Sequence, residues 1–186
     1  MHRISQRTGV SLRCLAVALV ASILPHHKAA AEEQIIDAFA TWEGQGVIYE
    51  TGEKLGTFVG SIAGPLFIDT DKGPINAGRI VCPVLLDVDL ETAKQAGRGK
   101  CTVTADDGAR AFGDWSCQGV HLIGCDGELT LTGGTGRLAG ISGKGEIRVR
   151  STVRAGAAKA STEGSVMEFG SGILVLRHMK LELPAE

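Results

Sequence analysis

Past residue 31 this sequence lacks three things: clustered positive charge, any long apolar run, and all but a few aromatic rings. Four basic residues, Arg3, Arg7, Arg13 and Lys28, fall in residues 1–31, where no acid occurs. Of 19 basic and 21 acidic groups, 15 and 21 therefore remain, a formal charge of about −6 in place of −2. Nonspecific phosphate binding needs clustered positive charge, so nucleic acid is not an expected partner. No later segment is long and apolar enough to span a membrane as a helix. Aromatics are limited to one Tyr, two Trp and five Phe. Glycine is abundant instead: 25 of the 26 glycines follow residue 31, about 16% of that stretch and roughly twice ordinary usage. They do not recur at every third position, which excludes collagen. An apolar content of 44% argues against disorder.

The front of the chain reads as an export signal. Residues 1–13 are basic and polar, Cys14 to Leu24 form an apolar run of 11 residues, and Pro25 ends it. Ala29-Ala30-Ala31 then supplies the small-residue pattern of a signal peptidase site, so cleavage is expected near Ala31 and Glu32. Eleven helical residues span roughly 16 Å, about half a hydrocarbon core, which argues against a retained anchor. Residues 32–186 are then a single domain by length, exported to a periplasmic or extracellular compartment.

Removing Cys14 leaves Cys82, Cys101, Cys117 and Cys125, an even number that suits a disulfide framework with three connectivities. The sequentially local pairing, Cys82 with Cys101 and Cys117 with Cys125, is the expected one, the second pair clamping a wide loop between two strand ends. No C-x₂₋₄-C pair exists, so a zinc site with His121 is not expected.

Strand patterning fills the rest. Gly99 to Ala105 alternates with period two, and Asp106-Asp107-Gly108 reads as a hairpin turn. Asp71 to Pro74 reads as another turn. Pro83 points to an edge or bulge within Ile80–Leu90. In Gly145–Arg154, Ile147, Val149 and Val153 face one way while Glu146, Arg148, Arg150, Thr152 and Arg154 face the other. Glu163 to Leu183 is a long, nearly all-apolar strand, and Leu90–Gln95 is the one helical stretch. About eight short, Gly-punctuated strands with almost no helix indicate a closed barrel or a sandwich. Eight strands close around side chains or one small ligand, and glycine supplies the coiling this requires.

Gly134, Gly136 and Ala139 stand at G-x-G-x-x-A spacing, yet the residues after Ala139 are Gly-broken and then strand-like. A dinucleotide site needs a helix there, so no cofactor is expected. The same stretch, Leu131-Thr-Gly-Gly-Thr-Gly-Arg-Leu-Ala-Gly-Ile-Ser-Gly143, resembles the Gly-rich hairpin of the allene oxide cyclase and dirigent barrels. Gly99–Gly108, Trp115-Ser-Cys-Gln-Gly and Gly124-Cys-Asp-Gly resemble exported bacterial relatives of that barrel. The resemblance covers about a third of the chain. It implies an all-β, eight-stranded antiparallel barrel with a central cavity, and a dimer or trimer. The matching positions are turn and packing residues, with Gly133, Gly134, Gly136 and Gly140 placed at structural turns where positive φ is accessible to glycine. The family's catalytic acidic and aromatic residues lie outside the match, so no catalytic residue carries over.

Candidate chemistry is sparse. His121 and His178 are the only histidines past residue 31. His178, between apolar residues, reads as a packed or rim residue, and His121 as a surface residue in the Cys117–Cys125 loop. Asp87 and Asp89 read as a solvated edge, Asp106 and Asp107 as turn residues. Arg148, Arg150 and Arg154, with Glu146 beside them, read as barrel exterior. No nucleophile motif is present. Tyr49 and Trp115 are the candidates for ligand contact, each with an apolar body and a polar tip, packing being the alternative role. The expected function is therefore binding of a small apolar or amphipathic ligand, or service as an interaction domain. The alternative is an enzyme whose cavity guides a cyclisation or coupling.

Overall fold

The computed structural model describes residues 32–152, 156–159 and 162–183. The export signal of residues 1–31, Cys14, Val153 and Arg154 lie outside these described residues. Nine strands run in order: β1 Glu32–Gly52, β2 Leu55–Asp69, β3 Ile75–Asp89, β4 Lys94–Thr104, β5 Arg110–Val120, β6 Gly124–Thr135, β7 Ser142–Ser151, β8 Gly156–Lys159 and β9 Ser165–Leu183. Each of β1 to β7 pairs antiparallel with its neighbour in sequence, β7 pairs with β9, and β9 returns to β1. Eight strands thus close a ring without edges, which settles the choice between barrel and sandwich. β8 adds four residues against Val166–Phe169, on the edge of β9 that β1 leaves free.

Alternation places the core. On β3, Ile80, Cys82 and Val84 turn inward while Arg79, Val81 and Pro83 turn outward. On β7, Ile147 is 2% exposed between exposed Glu146 and Arg148. Pro83 occupies neither an edge nor a bulge. The β3–β4 ladder runs in one register on both sides of it but skips Cys82 and Pro83. Proline has no N–H to donate there, and the Cys82–Cys101 bridge ties the same two strands at that gap. The second bridge, Cys117–Cys125, runs diagonally between β5 and β6, whose direct partners for these cysteines are Gly127 and Gly119. It braces a tight three-residue turn, not the wide loop expected.

Leu90–Gln95 is not helical. Asp89 Oδ1 accepts the N–H groups of Glu91 and Thr92, each at 2.9 Å, and Ala93 takes a left-handed φ of 56°. So short a segment does not repay helix nucleation, while the aspartate offers its amides an immediate alternative. The one helical turn among the described residues is a 3-10 turn at Gly136–Leu138, inside the glycine-rich β6–β7 connection. Gly133, Gly136 and Gly140 have positive φ there, but Gly134 does not. Its role is close approach: a Cβ at Gly134 would collide with the carbonyl oxygens of Leu138 and Arg110.

Scarce aromatics and abundant glycine turn out to be one feature. A Cβ at Gly172 would stand 2.6 Å from the Trp42 ring, one at Gly99 2.8 Å from Trp115 Nε1, and one at Gly60 2.6 Å from Phe58. Each interior ring lies flat on a strand that has no side chain beneath it, which lets a narrow barrel hold rings without splaying.

Candidate functional site

The two ends of the barrel differ. At one end, turns 105–109 and 136–141 fold over the interior, burying Ala105, Ala109 and Ile141 above Ile80, Leu129 and Met179. At the other, turns 90–93 and 121–123 flank a cavity of about 120 Å³. Its floor is Trp42, Trp115, Ile147, Leu174 and the two disulfides; its walls are Phe58, Ile62, Val84, Leu86 and Val149. An engineered apolar cavity of about 150 Å³ holds benzene, so this space suits one ring, not a drug-sized molecule enclosed whole. A wider depression on the outer surface, beside Thr41, Pro65 and Arg79, contains no buried ionisable pair.

The mouth of the cavity carries the polar groups. His121 Nε2 lies 3.0 Å from both carboxylate oxygens of Glu168, and Nδ1 lies 3.0 Å from Gln95 Oε1. The side chains of His121 and Glu168 are only 12% and 10% exposed. Both ring nitrogens face oxygen acceptors, an arrangement that a doubly protonated imidazolium satisfies in full and a neutral ring at one nitrogen. The backbone fixes the ring as well. His121 donates its N–H to Ala93 O at 2.8 Å, and Leu122 beside it takes a φ of 60°. Ala93 and Leu122 thus hold left-handed conformations unusual for residues with a Cβ, costing about 1 kcal/mol or more each. Leu122 lies in the turn that carries His121, and Ala93 in the turn whose carbonyl anchors it.

Deeper in the cavity, the Nε1 donors of Trp42 and Trp115 are buried without an acceptor among the described residues. Leaving such a donor unpaired costs about 1–3 kcal/mol, a cost that an oxygen atom of a bound molecule would relieve. Among the described residues no Lys or Arg lines the cavity. His121 and Glu168 are two potential metal ligands, and no group of three forms among the described residues.

Of the two proposed ligand-contact residues, Trp115 lines this cavity, whereas Tyr49 is 41% exposed on the outer face between Thr57 and Ser165. His121 is not a surface residue, because the tight β5–β6 turn points it back across the mouth. His178 lies outside the cavity lining and is exposed; its φ is 49° beside the β1–β9 bulge, and its N–H is donated to Asp37 Oδ1 at 2.8 Å. That bond and the adjacent Arg177 guanidinium hold the Asp37 carboxyl below its ordinary range. Asp87 is exposed and paired with Arg98, and Asp89 caps its turn. Arg148 and Arg150 both bind Asp126 on the outer face.

Glu168 and Gln95 were not anticipated. Their signal in the sequence was parity. Glu168, Gly170, Gly172 and Leu174 share one face of β9, so a carboxylate stands on the face that buries leucine.

No family model and no curated protein matches the chain. Among solved structures it is similar to a pterocarpan synthase dirigent protein, at 10% identity and a TM-score of 0.33, over 87% of this chain and 99% of that one. The barrel assignment rests on the strand pairing of this chain, independent of that likeness.

Proposed function

We propose that the protein is an exported, disulfide-stabilised barrel that binds a small amphipathic molecule, its apolar body against Trp42 and Trp115 and its polar group at the mouth. The observation that carries this reading is an apolar, single-ring-sized cavity whose largely buried ionisable groups, His121 and Glu168, both stand at its opening. Two disulfides suit an oxidising compartment and so support export. The Gly-rich hairpin at 131–143 supports a place in the exported bacterial branch of the allene oxide cyclase and dirigent superfamily. A dimer or trimer belongs to the same proposal. On the outer face, Met167, Val47, Val59 and Leu85 form one apolar row across four strands, a surface that a second copy would cover.

Calorimetric titration with benzyl alcohol, benzoate and a sixteen-carbon fatty acid tests the ligand reading. The alcohol is expected to bind; benzoate is not, because the lining offers no Lys or Arg, nor is the long acid. A Val84→Phe variant, which fills the cavity, is expected to lose the alcohol. No binding of any of the three, or binding that survives Val84→Phe, would overturn the reading.

A further inference from the structure

Resting on that reading, we infer that Glu168 and His121 are an acid–base pair that moves a proton on an uncharged, single-ring-sized molecule held in the cavity. Three observations converge on the pair. First, among the described residues Glu168 and His121 are the only ionisable side chains in the lining, since the three cysteines there are bridged. The two side chains are only 10% and 12% exposed, and Glu168 stands beside the apolar walls with its carboxylate oxygens 3.0 Å from the imidazole. Second, the pair is oriented as catalytic pairs are: His121 bridges Glu168 at 3.0 Å and Gln95 at 3.0 Å, so a third group fixes the ring. Third, the turns that hold it keep Ala93 and Leu122 in left-handed conformations. Packing alone gives no reason to keep a buried ionisable pair at an open mouth, since apolar residues would serve stability as well. Gln95 is a positioning residue in this scheme: Glu168 takes the proton as the base, and His121, bonded to it through Nε2, gives one back as the acid.

The substrate class is set by the lining. With no Lys or Arg to hold an anion, the molecule is uncharged and carries a C–H made acidic by a neighbouring unsaturated group. The buried indole donors of Trp42 and Trp115 suit a substrate that also bears an oxygen acceptor.

A probe that needs only a base at the mouth of an apolar pocket is 5-nitrobenzisoxazole, whose benzene ring is the one the cavity encloses and whose isoxazole C–H then stands at the opening beside Glu168. A Glu168 carboxylate oxygen takes the ring C–H proton, the C–H electron pair completes a nitrile, and the N–O bond breaks. The phenolate oxygen leaves with that bond's electrons, and no oxidant or reductant is required. The protein is expected to accelerate this reaction on the order of 10²–10⁴-fold over acetate at equal concentration. Glu168→Gln should abolish the gain. Gln95→Ala should lower kcat and alter its pH profile while leaving KM nearly unchanged, which a merely structural role would not do. Binding of the unreactive 5-nitroindole, measured on every variant, reports an intact cavity. Binding of nitroindole without acceleration, or acceleration that survives Glu168→Gln, would overturn the acid–base pair and leave the ligand reading standing. Absence of nitroindole binding to the unaltered protein would overturn both.

Discussion

The two ends of this barrel are built from the same antiparallel hairpins and finished in opposite ways. The closed end fills its interior with Ile80, Leu129 and Met179 and covers them with alanine-bearing turns. The open end stops filling at Trp42 and Trp115, leaves a space, and places an ionisable pair above it. Apolar packing therefore fills one end, and the buried ionisable pair stands at the other. Substitutions at the two ends should behave differently.

The largest contrast concerns the pair itself. His121→Leu leaves Glu168 buried and unpaired, and should destabilise by about 3–5 kcal/mol in denaturant titration. Adding Glu168→Leu should restore most of that loss, because two apolar side chains replace a buried, hydrogen-bonded ionisable pair at little cost or some gain. A double variant no more stable than the single would show that the open end needs its charges for folding. Next comes leucine truncation. Leu129→Ala at the closed end should cost about 2–5 kcal/mol, whereas Leu86→Ala, already facing the cavity, should cost less than half as much. Equal costs would erase the distinction between the ends. The disulfides come third: replacing both cysteines of Cys82–Cys101 by serine should cost about 3 kcal/mol, and the shorter Cys117–Cys125 loop somewhat less.

The outer face gives the smallest effect. Arg150 and then Arg148, through hydrogen bonds, hold the Asp126 carboxyl below its ordinary value near 3.8. A carboxylate whose folded value is depressed stabilises at pH above its unfolded value and loses that contribution as pH falls through the folded one. Asp126 is half exposed, so Asp126→Asn should change stability by less than about 1 kcal/mol near neutrality, and the difference should vanish in strong acid.

Much of the fold was legible because period-two alternation and glycine turns are local. Ile147 against Glu146 and Arg148, and the Asp106–Gly108 turn, need no knowledge of distant contacts. Leu90–Gln95 misled because its side chains favour helix, whereas Asp89 and the flanking strands demand a turn. The site was half legible. Trp115 belonged to a recognisable strand, but Tyr49 alternates onto the outer face, and its polar tip said nothing about direction. The His121–Glu168 contact joins residues 47 positions apart on strands that are not neighbours in the ring. Only closure of the barrel brings them together. Glu168, a charge on a leucine-bearing face, was its one local trace.

On the proposed function, a small amphipathic molecule enters the open end and stops at the tryptophans. The chain has two Trp residues and both line the cavity, so their fluorescence reports on that space, and Val84→Phe separates it from the outer depression that Trp42 also borders. Titration with 4-bromobenzyl alcohol, whose bromine quenches indole emission on contact, is the direct measurement. Saturable quenching is expected in the unaltered protein and none in Val84→Phe. Quenching that rises linearly without saturation, and equally in both proteins, would contradict it.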